Sequence, residues 1–158
     1  MRLKNKVAIV SGGSRDIGRA VSCQLAKEGA KVVINYFDNE QNAQETLRLV
    51  EESGGEAIIV KADMTKATEV NEMVEKAKAA FGDEIHILVN VAGGLVARKS
   101  TLEMEEDFWD FVINLNLKSV FLAAKATIPH MPQGSSIINF SSLAGRDGGG
   151  PGASAYAT

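Results

Sequence analysis

The stretch VAIVSGGSRDIG, residues Val7 to Gly18, decides the fold of this chain. Its first four residues are apolar and mostly β-branched, as in a buried strand. Apolar residues then recur at helical spacing through Ile17, Val21 and Leu25, so a glycine-rich turn joins a strand directly to a helix. That context gives a weak glycine pattern its meaning, because the turn brings a helix N-terminus to the end of a strand.

The turn has the properties of a phosphate-binding loop. Glycine at position 12 permits a tight turn, and glycine at position 18 lets the helix and the strand pack closely. The N-terminus of the helix offers unpaired N–H groups and about half a positive charge, which suit a pyrophosphate. A plain turn without a ligand is the alternative. The candidate contacts are Gly12, Ser14, Arg15, Asp16, Ile17 and Gly18.

Four more apolar segments have the length of strands, and helix-like segments separate them. The five predicted strands are nearly continuous in apolar residues, which indicates a parallel sheet covered on both faces. They are Val7 to Val10, Lys31 to Asn35, Ala57 to Ala62, Ile85 to Gly93 and Ser135 to Ser142. Helices are expected after Ile17, over Asn39 to Ser53, over Lys66 to Phe81 and over Met104 to Ile128, and a mobile loop over Gly145 to Gly152.

Length and composition limit the function classes. The 158 residues make one domain, 1–158, with 45% hydrophobic and 23% charged residues. A net charge of −3 with interspersed signs argues against nucleic acid as a partner. We expect a cytoplasmic protein, because the chain has a single cysteine, Cys23, and no secretory signal. We expect no membrane binding, because no run of about 20 apolar residues is present.

Several strand ends together resemble the short-chain dehydrogenase/reductase family. Ser11 to Gly18 is similar to its TGxxxGxG turn, with serine replacing threonine and Asp16 standing at the middle glycine. Asn90 to Gly93 is similar to its NNAG motif, with Val91 as the departure. The resemblance implies an α/β fold, a Rossmann-like doubly wound parallel sheet with strand order 3-2-1-4-5 in three layers. It also implies cofactor contacts at Asp63, Met64, Asn90, Ala92 and Gly93.

Two carboxylates in this set have a second interpretation. Asp16 beside bound phosphates is repulsive, yet the same side chain suits the cap of the helix it begins, and we favour the cap. We expect Asp16 to weaken cofactor binding without abolishing it. For Asp63, contact with the cofactor and a cap on the following helix are equally compatible with the sequence.

The choice of nicotinamide cofactor depends on charge at the end of the second strand. A carboxylate there would bind the ribose 2′-OH of NAD, whereas an arginine accommodates the 2′-phosphate of NADP. Here the acidic position of the family matches Tyr36, and Arg15 lies on the phosphate turn, so NADP(H) is preferred. Asp38 is near enough in sequence for NAD(H) to remain possible.

The resemblance also implies the chemistry. Ser142, Tyr156 and Asn116 match the family's serine, tyrosine and long-helix asparagine. They imply hydride transfer between a nicotinamide and a small-molecule carbonyl or alcohol, as in 3-oxoacyl-carrier-protein reductases and sugar dehydrogenases. Tyr156 would donate the proton, Ser142 would hold the carbonyl oxygen and Asn116 would anchor a water path. The alternative is a non-catalytic nucleotide-binding or oligomer-forming remnant.

The family's lysine four residues after the tyrosine lies beyond the sequence, which ends two residues after Tyr156. We therefore expect this chain to be a fragment, or the ordered part, of a longer enzyme, and we expect the 158-residue chain alone to be impaired in turnover. The resemblance further implies a homo-oligomer. No metal is expected, because His86 and His130 lack clustered carboxylates or cysteines. Arg98 and Lys99 have two interpretations, contact with an anionic substrate or surface charge, and we favour surface charge.

Overall fold

Strand β1 (Val7–Ser11) lies at the centre of the sheet, and all of its residues are buried. It pairs in parallel with β2 (Lys31–Tyr36) on one side and with β4 (Ile87–Asn90) on the other. Strand β3 (Glu56–Lys61) extends the sheet beyond β2, and β5 (Ser136–Asn139) extends it beyond β4. The predicted parallel sheet with strand order 3-2-1-4-5 is confirmed.

The computed structural model describes the whole chain, residues 1–158, and places helices on both faces of the sheet. The helices are α1 (Asp16–Lys27), α2 (Glu40–Glu52), α3 (Ala67–Phe81), α4 (Glu106–Ile113), α5 (Ser119–Thr127), α6 (Ala144–Asp147) and α7 (Ser154–Ala157). A π-helical segment, Asn114–Lys118, joins α4 to α5, and a 3-10 turn, Ile128–His130, follows α5. The helical crossovers predicted from periodicity are therefore present.

Alternate residues of β1 belong to two different hydrophobic cores. Val7 and Ile9 pack with α3 and with Ala123 of α5, whereas Ala8 and Val10 pack with Ala26 of α1 and Val50 of α2. A strand with both faces covered has no solvent side. This explains why its sequence is continuously apolar rather than alternating.

Three sequence predictions about these elements are wrong in detail. All four residues of β5 are exposed, because β5 packs against β4 without the helical cover that α2 and α3 give the other edge strand, β3, so five buried strands are not observed. Strands β4 and β5 are shorter than predicted, since the residues after Asn90 and Asn139 leave the sheet as loops. The first residues of the glycine-rich segment form α6 rather than a loop.

One long helical stretch is unusually apolar in composition. The continuous helical stretch Glu106–His130 is 25 residues long and meets the length and composition of a membrane span, which the search for an uninterrupted apolar run missed. Its inner face is nevertheless buried at Val112, Ser119, Ala123 and Thr127. Burial of that face against α3 and β4 is what the layered fold requires of a crossover helix.

His86 connects the start of β4 to the start of β1. Its Nδ1 accepts a hydrogen bond of 3.2 Å from the backbone N–H of Val7, so this nitrogen must be unprotonated. Burial and, to a lesser degree, the charge of Lys6 hold the pKa of His86 below its ordinary value, against the opposing effect of Glu84.

This histidine predicts a pH-dependent stability. As the pH falls below 6.5, the unfolded chain takes up a proton at His86 before the folded chain does. The contribution of His86 to the free energy of unfolding is therefore complete above that pH. It decreases below that pH until the folded state is protonated as well. In His86→Asn, an acceptor remains but does not titrate, so urea unfolding should show a weaker decline. Identical pH profiles for the two proteins would contradict this assignment.

Candidate active site

The glycine turn between β1 and α1 is held by direct backbone contact. A Cβ built on Gly18 would lie 2.0 Å from the carbonyl oxygen of Gly12, so no side chain fits at this position. Gly12 itself has a φ of +63°, in the left-handed region that favours glycine. The sequence prediction of close helix–strand packing at Gly18 therefore describes the observed turn.

Asn35, at the carboxyl end of β2, fixes the position of this turn. It is 2% exposed, its Oδ1 accepts a hydrogen bond of 2.9 Å from the N–H of Gly12, and its Nδ2 donates to the carbonyl of Ala62 at 3.0 Å. The backbone carbonyl of Asn35 also accepts from Gly13. One amide thus ties together the ends of β1, β2 and β3. Sequence reasoning missed it, although a polar residue inside an apolar strand is a usable signal.

A second polar group holds the other side of the turn. Thr46 Oγ1 of α2 donates to the carbonyl of Ser14 at 2.7 Å and accepts from Arg19 Nε at 2.9 Å. Arg19 Nη2 donates to the same Ser14 carbonyl at 3.1 Å. Because the two Thr46 contacts join α2 to residues far away in sequence, the sequence alone gave no indication of them. They fix the direction of the backbone where α1 begins.

Asp16 does not cap α1, so that prediction is wrong. The N-cap residue is Arg15, no side chain caps the helix, and Asp16 has a φ of +49°. Its carboxylate lies 3.5 Å from Arg15 Nη1, with both side chains more than 70% exposed. The side chain at this left-handed position leaves the first-turn amides free for another acceptor. A glycine would adopt this conformation without strain.

Three further residues predicted to contact the cofactor, Tyr36, Asp63 and Met64, lie at or just after the ends of β2 and β3. Tyr36 is buried, and burial followed by the charge of Glu40 raises the pKa of its phenol. Met64 is also buried, in the core beneath the strand end.

Asp63 is held in a turn of its own, just after β3. Its Oδ1 accepts from the backbone and the hydroxyl of Thr65. Burial raises the pKa of Asp63, but the hydrogen bonds from Thr65 and the charge of Lys66 outweigh it and lower the pKa. Helix α3 begins at Ala67 with Lys66 as N-cap, so the alternative in which Asp63 caps this helix is wrong.

Asn116 lies in the π-helical segment and holds the loop after β4. Its Oδ1 accepts from the N–H of Gly94 at 2.8 Å, and its Nδ2 donates to the carbonyls of Gly94 and Val112 at 3.0 and 2.9 Å. A Cβ on Gly93 would lie 2.6 Å from this Oδ1, so a side chain there would push the Asn116 amide out of these hydrogen bonds. Short π-helical segments such as Asn114–Lys118 often occur at functional sites.

The end of β4 presents a polar atom without a protein partner. Asn90 Nδ2 donates to Asn139 Oδ1 at 2.8 Å, but the buried Asn90 Oδ1 has no hydrogen-bond donor. The N–H groups of Val91 and Ala92 both donate to Ser11 Oγ at 3.2 Å. Asn90 is a wall residue of the cleft, and its buried Oδ1 needs a donor that the protein does not supply, such as an ordered water or a ligand N–H.

Ser142 and Tyr156 face two adjoining cavities. The inner cavity, of about 360 Å³, has walls from five parts of the chain and includes Ile17, Asn90, Asn116, Ser142 and Tyr156. The outer cavity, of about 470 Å³, continues past Ser142 and Tyr156 to Leu95, Arg98, Asp147 and Gly149. The structure thus brings the three predicted catalytic side chains to one cavity with part of the glycine turn. Tyr36, Asp63 and Met64 are not among its wall residues.

Ser142 has its hydroxyl oriented by the backbone, since its Oγ accepts from the N–H of Ala144 at 3.2 Å. This leaves the hydroxyl proton available as a donor into the cavity. The structure contains no group of three or more His, Cys, Asp or Glu side chains arranged to hold a metal ion. The Ser142 and Tyr156 hydroxyls in the cavity walls can donate hydrogen bonds and transfer a proton.

Comparison with known proteins places these features in a family. The family model of the short chain dehydrogenases matches residues 6–158. A hydroxynaphthalene reductase-like protein of Metarhizium guizhouense is 37% identical over 155 residues, covering 98% of this chain and 57% of the relative. The 3-oxoacyl-[acyl-carrier-protein] reductase FabG of Staphylococcus epidermidis is 36% identical over 154 residues, covering 96% and 62%. The chain therefore spans about three fifths of the length of these relatives.

Solved structures give the same result. A short-chain dehydrogenase/reductase of Serratia marcescens superposes with a TM-score of 0.95 at 36% identity, covering 99% of this chain and 63% of that one. A Burkholderia cenocepacia short chain dehydrogenase in complex with NADP has a TM-score of 0.93 at 34% identity, covering 99% and 63%. An NADH-dependent reductase complexed with NAD has a TM-score of 0.92 at 34% identity, covering 98% and 66%.

The contacts of Asn35 lead to a stability prediction. Replacing Asn35 by alanine leaves the Gly12 N–H without its acceptor, which should lower the free energy of unfolding by about 1–3 kcal/mol. Urea unfolding measures the change. Asn71→Ala, on the exposed face of α3, removes the same group without a buried partner and should stay within about 0.5 kcal/mol of the unmodified chain. Equal effects of the two substitutions would show that Asn35 does not hold the turn.

Proposed function

The chain belongs to the short-chain dehydrogenase family, and we propose that it serves hydride transfer between a nicotinamide cofactor and a small-molecule carbonyl or alcohol. The observation that carries the proposal is the shared cavity of Ser142, Tyr156 and Asn116 with Ile17 of the glycine turn. Reductases among the relatives of both the sequence and the structure support it. The alternative, a nucleotide-binding or oligomer-forming protein without catalysis, is separated from it by the experiment on Tyr156 below.

The proposed cofactor site runs along the carboxyl ends of the strands. The free amides of Ile17 and Gly18 at the start of α1 would hold the pyrophosphate, and Gly12, Ser14 and Arg15 would line the turn beside it. Tyr36, Asp63 and Met64 would lie on the adenosine side, and Asn90, Ala92 and Gly93 on the nicotinamide side. A bound nicotinamide supplies or accepts the hydride.

The protein's own residues would supply orientation and a proton. Ser142 would donate a hydrogen bond to the substrate oxygen, because its Oγ is already positioned by the Ala144 N–H. Tyr156 would donate the proton to that oxygen as the carbonyl is reduced, and would remove it in the reverse direction. Asn116 would anchor a water path and, by its bonds to Gly94, keep the β4 loop clear of the cavity.

NADP(H) is the preferred cofactor in this proposal, with NAD(H) possible. Strand β2 ends in Tyr36 without a carboxylate to bind a ribose 2′-OH, and the exposed Arg15 guanidinium stands on the phosphate turn. Structural neighbours with NADP and with NAD both occur, so the preference rests on these charges. Asp16 opposes either cofactor by placing a carboxylate beside the phosphates.

Titration of the two reduced cofactors, followed by nicotinamide fluorescence, tests this charge assignment. NADPH should bind more tightly than NADH, and Arg15→Gln should weaken NADPH about tenfold with little change for NADH. Asp16→Asn removes the charge while keeping a residue tolerant of positive φ, and should tighten both cofactors about threefold. Equal affinities for both cofactors, unaltered in Arg15→Gln, would contradict the NADP preference, and an unaltered Asp16→Asn would contradict the repulsion.

The chemistry is tested by a single turnover with protein in excess, using NADPH deuterated at the transferable position and an activated aryl ketone. Deuterium should appear at the carbinol carbon of the product. Tyr156→Phe should lower that rate by about 100-fold or more, because the proton donor is lost, while the dissociation constant of NADPH stays within about twofold. NADPH binding without any deuterium transfer in the unmodified chain would instead favour the non-catalytic alternative.

The outer face of the long helix supports the proposal of a homo-oligomer. The helix carries the large apolar side chains of Phe111, Phe121 and Ile128, each more than half exposed. Exposed apolar patches on a folded chain mark protein contacts. Sedimentation equilibrium should show self-association that Phe121→Glu weakens about tenfold or more, whereas Lys76→Glu on exposed α3 should not. A monomer at all concentrations would contradict the oligomer.

A further inference from the structure

The outer cavity is closed on one side by contact between two loops. Arg98, in the loop after β4, donates from Nη1 to the carbonyls of Gly149 and Pro151 at 2.9 and 2.8 Å. The N–H of Lys99 donates to the carbonyl of Gly152 at 3.0 Å. The glycine-rich segment predicted to be mobile is therefore fastened to the β4 loop, and the Arg98 guanidinium is fixed in the cavity wall.

The remaining donors of this guanidinium have no protein partner. Nη1 is occupied by the two carbonyls, but Nε and Nη2 donate to no protein atom, and no carboxylate lies within 4.0 Å of Arg98. The neighbouring Lys99 differs, because its ammonium lies 4.6 Å from the centre of the Phe108 ring and is not a wall residue of the cavity. Arg98 is the more exposed of the two side chains, but its guanidinium lies in the cavity wall, whereas the partly buried Lys99 lies outside it.

One other charged side chain lies in the same wall. Asp147 contributes a carboxylate whose Oδ1 accepts from the N–H of Gly149 at 2.9 Å, without pairing with Arg98. A single unpaired guanidinium beside one carboxylate suits a ligand group with one negative charge better than a dianion. A guanidinium fork binds a carboxylate through two parallel hydrogen bonds.

We propose that Arg98 binds a carboxylate of the substrate, so that the substrates are oxo acids and the corresponding hydroxy acids. The carbonyl would sit between Ser142 and Tyr156, and the carboxylate would reach Arg98 across the outer cavity. This inference rests on the proposed function for the position of the carbonyl. The volume of about 470 Å³ lies within the range of small-molecule sites.

The experiment compares acids with neutral isosteres. Two probe pairs, 4-acetylbenzoate with 4-acetylbenzamide and 5-oxohexanoate with 5-oxohexanamide, are titrated into the full chain by NMR, with and without NADPH. At least one acid should bind about tenfold more tightly than its amide, as expected for a charge-assisted hydrogen bond. Equal affinities within both pairs would overturn the proposal.

Three variants locate the preference. Arg98→Gln should abolish the acid preference, whereas Lys99→Gln, which removes the same charge one residue away, should leave it intact. Asp147→Asn keeps an acceptor for the Gly149 N–H and removes the opposing charge, so it should increase the preference about two- to threefold. An acid preference that survives in Arg98→Gln overturns the proposal.

Loss of both acid and amide binding in Arg98→Gln would mean that the glycine-rich loop has moved. In that case Asp147→Asn, which keeps the loop contact and the Arg98 side chain, tests the proposal instead. An acid preference unchanged from the unmodified chain in this variant overturns the proposal. The NADPH titration separates the two claims. Acid preference without NADPH binding would support the carboxylate site at Arg98 and contradict the proposed function. NADPH binding with equal acid and amide affinities would support the proposed function and contradict the carboxylate site.

Discussion

The close contact between Gly18 and the carbonyl of Gly12 is the constraint on which the rest of the site depends. It brings the first turn of α1 over the end of β1, at a distance that no side chain at position 18 would permit. The amides of that turn then face the crevice beyond the strand ends, where doubly wound sheets bind their ligands. Asn35 on one side and the Thr46–Arg19 pair on the other keep the turn in this position.

Much of this arrangement follows from the sequence, because both local and global signals agree. Continuous apolar strands separated by amphipathic helices dictate a parallel sheet, and parallel strands place their carboxyl ends along one edge. Residues far apart in sequence, such as Asn116, Ser142 and Tyr156, therefore meet once the strand order is known. The family resemblance supplied that order and the identity of the candidate residues.

What the sequence did not predict depends on contacts between elements. The burial of Asn35 and the pairing of Arg19 with Thr46 arise from tertiary packing. The exposure of β5 follows from the lack of helices packed on it, which its apolar composition does not reveal. Asp16 fails as a cap because a left-handed backbone holds it, and Arg98 reaches the cavity through two backbone carbonyls of a distant loop.

The central claim is that the glycine turn receives the phosphates of a dinucleotide whose reactive end lies beside Ser142 and Tyr156. Backbone NMR of the chain with added NADPH tests it most directly. The account predicts shifts in one connected set of amides, from Ser14 to Gly18 and from Ala92 to Gly94, together with Ser142 and Tyr156. Shifts confined to other surfaces, or none at saturating NADPH, would contradict it.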